Sequence, residues 1–202
     1  KTPGSVFTAD HGEMLGDHHM SQKNLFFEGS AHVPLLIMPP QGRSLPQNIS
    51  VEAPTDLVDL YPTILAMAGL SSPVSVSGKN LLEPVPMDRM FFGNSLNKNF
   101  CVMEEKVKLV YSAVGDHVLL FDLNTDPMEQ HNLAEDPDWQ ERKAKLWKLL
   151  LEHTAQYTPE ALDENGQFLT YEAPHFPGDV PGRWFGSIIM IIPWIRSTKD
   201  NV

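Results

Sequence analysis

The chain has one cysteine, Cys101, in 202 residues. That excludes an internal disulfide and a zinc site built from several thiolates, and it leaves the redox compartment open. Cys101 lies in the apolar run Phe100-Cys101-Val102-Met103, where a buried thiol is expected rather than a nucleophile. Basic residues are scarce: 15 Lys and Arg stand against 26 Asp and Glu, a formal charge of −11. Phosphate backbones and anionic membranes call for a basic face, so nucleic acid and membrane adhesion are excluded as main partners. A small anionic substrate stays compatible, because a few local cations suffice for it. No apolar run is long enough to span a bilayer. Trp184 to Ile195 is short and broken by Pro193, so no transmembrane segment is expected. Internal repeats and a secretory signal pattern are also lacking. An apolar content of 42% and a charged content of 20% leave a globular protein of one domain or one and a half.

What is present is concentrated early. Val6-Phe7-Thr8-Ala9 is a short apolar run that reads as the end of a buried strand. Asp10, His11, Glu13, Asp17, His18 and His19 follow it closely, punctuated by Gly12 and Gly16, with Lys23 just beyond. In open α/β sheets chemistry gathers beyond strand ends. An Asp-His-Gly triplet alone is an ordinary solvated turn, but this density of acid and imidazole points to a metal or anion site. Asp offers a hard oxygen and His a borderline nitrogen, so the pair alone fits several divalent ions. Since one strand cannot make a sheet, the chain is expected to begin inside a larger protein.

Further along, Val33-Pro34-Leu35-Leu36-Ile37-Met38 is apolar on both faces and predicts a buried strand of a parallel or mixed sheet. Asn48-Ile49-Ser50 matches a glycosylation sequon, a triplet frequent by chance. Thr55 is the expected N-cap of a helix carrying Leu57, Val58, Leu60, Tyr61, Ile64, Leu65 and Ala68, kinked or restarted at Pro62 and capped by Gly69. Ser71 to Pro86 reads as a surface connection. Four short strands follow, at Met90 to Gly93, Phe100 to Glu104, Val107 to Ser112 and Val118 to Leu123, spaced as an antiparallel meander. Asp136-Pro137 opens the clearest helix, to about Tyr157, with Trp139, Lys143, Leu146, Leu150, His153 and Tyr157 on one face and His153 read as structural. The chain thus divides into 1–86, 87–157 and an irregular tail, 158–202.

These residues resemble a known family. Thr8-Ala9-Asp10-His11-Gly12-Glu13-Met14-Leu15-Gly16-Asp17-His18, Lys23, Glu28 and Val33-Pro34-Leu35 are similar to the second half of a type I sulfatase, of the alkaline-phosphatase-like superfamily. Thr55 to Leu65, Ala68-Gly69-Leu70, Leu120 to Glu129 and Asn132-Leu133 extend the resemblance over roughly residues 5 to 155. It implies an α/β fold, the C-terminal part of an alkaline-phosphatase-like sulfatase, with a smaller four-stranded antiparallel sheet and a long helix. It implies that Asp10 and His11 ligate a divalent cation, most often Ca²⁺, that Lys23 contacts the sulfate, and that His18 lines the substrate mouth. The substrate class would be a small-molecule or carbohydrate sulfate ester, attacked by a formylglycine.

The departures are specific. The formylglycine motif, C/S-x-P/A-x-R, is absent, and Cys101 is followed by Val102-Met103-Glu104-Glu105. The paired aspartates that complete the family's metal site are absent too, and the family's usual Arg before Val-Pro-Leu is His32. The missing N-terminal half of the same protein is therefore the expected partner, and these residues alone are expected to be inactive. The pattern also suits a phosphonate monoester or phosphodiester hydrolase of the superfamily, with Mn²⁺ or Zn²⁺. A third reading is a non-enzymatic module.

Overall fold

Runs of β-branched and aromatic residues joined by very short turns can only pair antiparallel. In the computed structural model, which describes residues 3–23, 25–42, 49–73, 75–96 and 98–172, such runs form β3 (Phe91–Ser95), β4 (Asn99–Glu104), β5 (Val107–Ser112) and β6 (His117–Asp122). The sheet order is β3-β4-β5-β6, a plain meander. The β4–β5 turn is held by Glu105 and Lys106, both left-handed, at φ 52° and 65°. That pair of positive φ values matches the right-handed twist of the strands it joins. Register sets the faces. Val102, Leu109 and Leu120 lie opposite one another on one face, and Met103, Lys108 and Phe121 on the other.

The first face is covered by α3 (Gln140–Tyr157). Asp136 caps the short 3-10 turn before it, accepting from Asp138 N at 2.9 Å with Pro137 following, as the sequence predicts. Leu146, Leu150 and Thr154 are its buried positions, and the two leucines join Phe100, Val102, Leu109, Tyr111 and Leu120 in the core. Thr154 replaces the expected Tyr157, which is exposed; its hydroxyl is satisfied by Leu150 O at 2.8 Å. His153 stacks on Phe92 at 4.0 Å, and burial pushes its pKa down. The segment after Thr158 is more ordered than the irregular tail expected from its prolines. Phe168 is buried in the core against Phe100, Tyr111 and Trp147, and Tyr171 bridges to Val114. The Trp184 to Ile195 run and Asn48 of the sequon lie outside the described residues.

Contacts divide the chain into two units, residues 1–10 with 33–91 and residues 11–32 with 92–202. The second unit therefore includes the meander and also residues 11–32. In the first unit β1 (Ser5–Thr8) pairs antiparallel with β2 (Leu35–Met38), Phe7 opposite Leu36. The expectation of a strand buried on both faces is corrected here. Among the described residues β1 and β2 form a two-stranded sheet, and Phe7 and Leu36 on one of its faces are 64% and 61% exposed.

The helix of the first unit also differs from expectation. The N-cap is Asp56, not Thr55. Asp56 accepts from Val58 N and Asp59 accepts from Asp56 N, a reciprocal box before a 3-10 turn that runs into α2 (Leu60–Met67). Pro62 falls in the first turn of α2, so its missing N–H neither kinks nor restarts the helix. Gly69, at φ 78°, supplies the left-handed cap, with Leu70 N bonded to Leu65 O at 2.9 Å. Leu57, Val58, Tyr61 and Ile64 are exposed, whereas Asp59, Pro62 and Thr63 are buried. The buried side is held by polar bonds. Asp59 accepts from Arg89 at 2.5 and 2.9 Å and from Lys79 N at 2.7 Å, and Thr63 Oγ1 accepts from Leu81 N at 2.9 Å.

Burial alone would push the Asp59 carboxyl up. The Arg89 guanidinium and the N–H groups of Lys79 and Asp56 outweigh it and hold the carboxyl below its usual range. The stability this contributes is present above the ordinary aspartate pKa of about 3.9 and is lost as pH falls through the lower folded value. Arg89→Met should cost about 3 kcal/mol at neutral pH, because it leaves a buried carboxylate unpaired. Denaturant titrations should show the gap to wild type narrowing below about pH 4, where protonation relieves that carboxylate.

Candidate functional site

Residues 11–32 form a loop closed on itself, with one short helix, α1 (Glu28–Ala31), near its end. Gly12 N donates to Ser30 O at 2.8 Å, Met14 N to Gln22 O at 2.9 Å and Gly16 N to Met20 O at 2.8 Å. Only glycine fits at position 12, because a Cβ there would overlap the Gly29 carbonyl oxygen. Met14, Met20 and Phe27 are the buried apolar anchors of the loop. The tip is turned through left-handed backbone at Leu15, Gly16, His18, His19 and Gln22. Two consecutive non-glycine residues in that region are strained, a feature that gathers at functional segments.

The loop brings two of the four sequence-predicted site residues together. Lys23 Nζ lies 2.8 Å from His11 Nε2, and His11 Nδ1 lies 2.8 Å from Gly12 O. A carbonyl only accepts and an ammonium only donates, so the ring carries its proton on Nδ1 and turns the Nε2 lone pair toward the lysine. His18 is placed elsewhere in the loop, its ring stacked on Phe27 at 4.2 Å. It borders a cleft of about 250 Å³ lined by Asp17, Glu28, His32, Met128 and Glu129 among others. Asp10 closes the first unit just after β1 and is exposed.

The metal that the resemblance implies at Asp10 and His11 can be tested on these donors. His11 holds the tautomer of a metal-ligating imidazole: one nitrogen bonded to a backbone carbonyl, the other offered to a cation, here an ammonium. Asp10 adds an oxygen donor suited to a hard ion. Among the described residues no group of three or more His, Cys, Asp or Glu is arranged to hold a metal ion. Asp10 and His11 thus carry donor types that a divalent cation accepts, and a complete site would need further donors.

Behind the loop lies a charge cluster. Lys108, at the middle of β5, is 3% exposed and faces residues 11–32 rather than solvent. Its Nζ donates to Phe26 O at 2.8 Å, to Glu129 Oε1 at 2.9 Å and to Glu28 Oε1. Glu129 Oε2 in turn accepts from Glu28 N at 2.7 Å. Burial would lower the Lys108 pKa, but Glu129 and Glu28 beside it outweigh that and hold it above the usual lysine value. For Glu28, burial raises the carboxyl and the Lys108 charge brings it below its ordinary range. Sequence reading missed Lys108. Its signal is a lone charge inside an otherwise apolar strand, Val107-Lys108-Leu109-Val110, where solvent exposure is the ordinary inference. Cys101, on the same strand face as its opposite residue Val110, is fully buried, and burial pushes its thiol up to about 12, so it is no nucleophile.

The family model of N-sulphoglucosamine sulphohydrolase, C-terminal, matches residues 16–156. The chain belongs to this sulfatase family. It is 35% identical over 149 residues to arylsulfatase K of Xenopus laevis, covering 64% of this chain and 27% of that protein. It is 36% identical over 170 residues to choline-sulfatase of Rhizobium meliloti, covering 78% of this chain and 32% of that protein. Among solved structures it is similar to the phosphonate monoester hydrolase of Agrobacterium radiobacter, with a TM-score of 0.60 and 32% identity, covering 80% of this chain and 38% of that one. The sulfatase chain thus spans about a third or less of these curated relatives. Its meander and long helix form the α/β C-terminal portion of a sulfatase fold.

In this sulfatase segment Gly12→Ala should drive the Gly12–Ser30 closure apart. The expected loss is about 1–3 kcal/mol of stability, as for other overpacked sites, read from the denaturation midpoint. An unchanged midpoint would contradict the closure.

Proposed function

We propose that the protein to which these residues belong is a sulfuric ester hydrolase acting on a small-molecule or carbohydrate sulfate ester. The observation that supports this best is the Lys23–His11 contact, whose lysine falls within the family-matched residues 16–156 and whose ammonium lies 2.8 Å from the imidazole Nε2. Asp10 and His11 would hold a divalent cation, Ca²⁺ in this reading. When bound, that cation supplies charge neutralisation and polarisation at the sulfuryl oxygens. Lys23 binds and orients the sulfate through its ammonium, and its charge counts most as the ester bond breaks and negative charge accumulates. His18, held flat against Phe27, borders the substrate mouth. The nucleophile is a formylglycine from a C/S-x-P/A-x-R motif, which these 202 residues do not contain. Residues 1–202 alone are therefore inactive.

A second reading is favoured by one observation, the 32% identity to a phosphonate monoester hydrolase. Mn²⁺ or Zn²⁺ would then replace Ca²⁺. The full-length protein, assayed on an aryl sulfate and a phosphonate monoester, separates the two, and faster turnover of the phosphonate overturns the sulfatase reading. Lys23→Ala in the full-length enzyme should lower kcat/KM for the sulfate ester by about 10²–10³, the usual loss for one charge-stabilising donor. Turnover by residues 1–202 alone, abolished by Asp10→Ala, would contradict the need for a nucleophile elsewhere.

A further inference from the structure

The ammonium of Lys108 and the carboxylate of Glu129 hold two backbone groups on either side of Phe27. Lys108 Nζ binds Phe26 O at 2.8 Å, and Glu129 Oε2 binds Glu28 N at 2.7 Å. Phe27 lies between them, buried, with His18 stacked on one side and Phe121 at 5.9 Å. Lys23 is three residues upstream of Phe26 in the same loop, and the loop is cross-tied again at Gly12–Ser30 and Met14–Gln22. Glu129 itself sits at φ 55°, a left-handed position that a glutamate adopts only when surroundings hold it there.

Stability alone does not call for such a cluster. Charges withdrawn from water cost desolvation, and apolar residues of similar volume often do as well or better. What an ammonium with three acceptors adds is direction: it fixes where particular peptide groups lie. We propose that Lys108, acting with Glu129, is a positioning residue of the sulfate site, holding the backbone at Phe26 and Glu28 so that Lys23 and His18 meet the substrate. The inference rests on the reading of Lys23 as the sulfate contact.

The test uses the full-length enzyme and the double variant Lys108→Met/Glu129→Gln, which removes both buried charges together. The KM for an aryl sulfate and the inhibition constant for inorganic sulfate should rise together, by about tenfold, because both report the same contact. A purely structural role would reduce the amount of folded enzyme, lowering apparent kcat with KM and the inhibition constant unchanged; that result overturns the proposal. Should the double variant fail to fold, Glu129→Gln alone leaves one oxygen acceptor for the two donors, Lys108 Nζ and Glu28 N, and should raise both constants by about threefold, with unchanged constants again overturning the proposal. A wild-type enzyme that cleaves no sulfate ester sinks the sulfatase reading but not the positioning role. The amides of Gly12, Met14 and Gly16 then decide: hydrogen exchange about tenfold faster in the double variant supports positioning, and unchanged protection overturns it.

Discussion

A lysine in the middle of a β-strand ordinarily sends its ammonium to water. Lys108 cannot, because the face it occupies is covered by residues 11–32, and an ammonium buried without partners would cost several kcal/mol or lose its proton. Glu28, Glu129 and the Phe26 carbonyl supply an acceptor for each of its three hydrogens. Much of the second unit follows from this. β5 is buried at each of its positions, α3 lying on one side and the closed loop on the other. Phe27 docks on Phe121 beside the ammonium, and Cys101 ends up fully enclosed on the same side of the sheet.

The same arrangement links fold to chemistry. The loop that carries His11, His18 and Lys23 is strained at its tip and bonded at its base, and its downstream arm is fixed by the cluster. Charged and imidazole side chains that act together on an anion need defined positions, since small displacements weaken charge stabilisation steeply. Rigid support behind a catalytic loop meets that need better than a flexible apolar contact would. The meander is then more than an appendage of the sulfatase fold; its face opposite α3 is the surface on which residues 11–32 are set.

Local signals were legible where the determinant was local. The meander, the Asp136-Pro137 start of α3 and the Gly69 cap all follow from short-range patterns, and the strands agree within a residue or two. The sulfatase family was legible from several motifs in the right order, and with it the grouping of His11 and Lys23. Long-range pairing was not. The apolar positions of α2 pointed to a buried face, but Asp59 and Thr63 occupy it, because their partners Arg89, Lys79 and Leu81 arrive from later in the chain. Phe168 looked like part of an irregular tail, yet it completes the aromatic core. Lys108 and Glu129 are far apart in the sequence, and nothing near either one announces the other.

The central claim is that Lys108 and Glu129 act as one buried unit. A double-mutant cycle with Lys108→Met, Glu129→Gln and the combined variant measures this directly by equilibrium denaturation. A coupling energy of about 2 kcal/mol or more is expected, because either single variant leaves the other buried charge short of an ion-pair partner. Effects that add to within about 0.5 kcal/mol would contradict it, and would mean that the loop is held on the sheet by its apolar anchors alone.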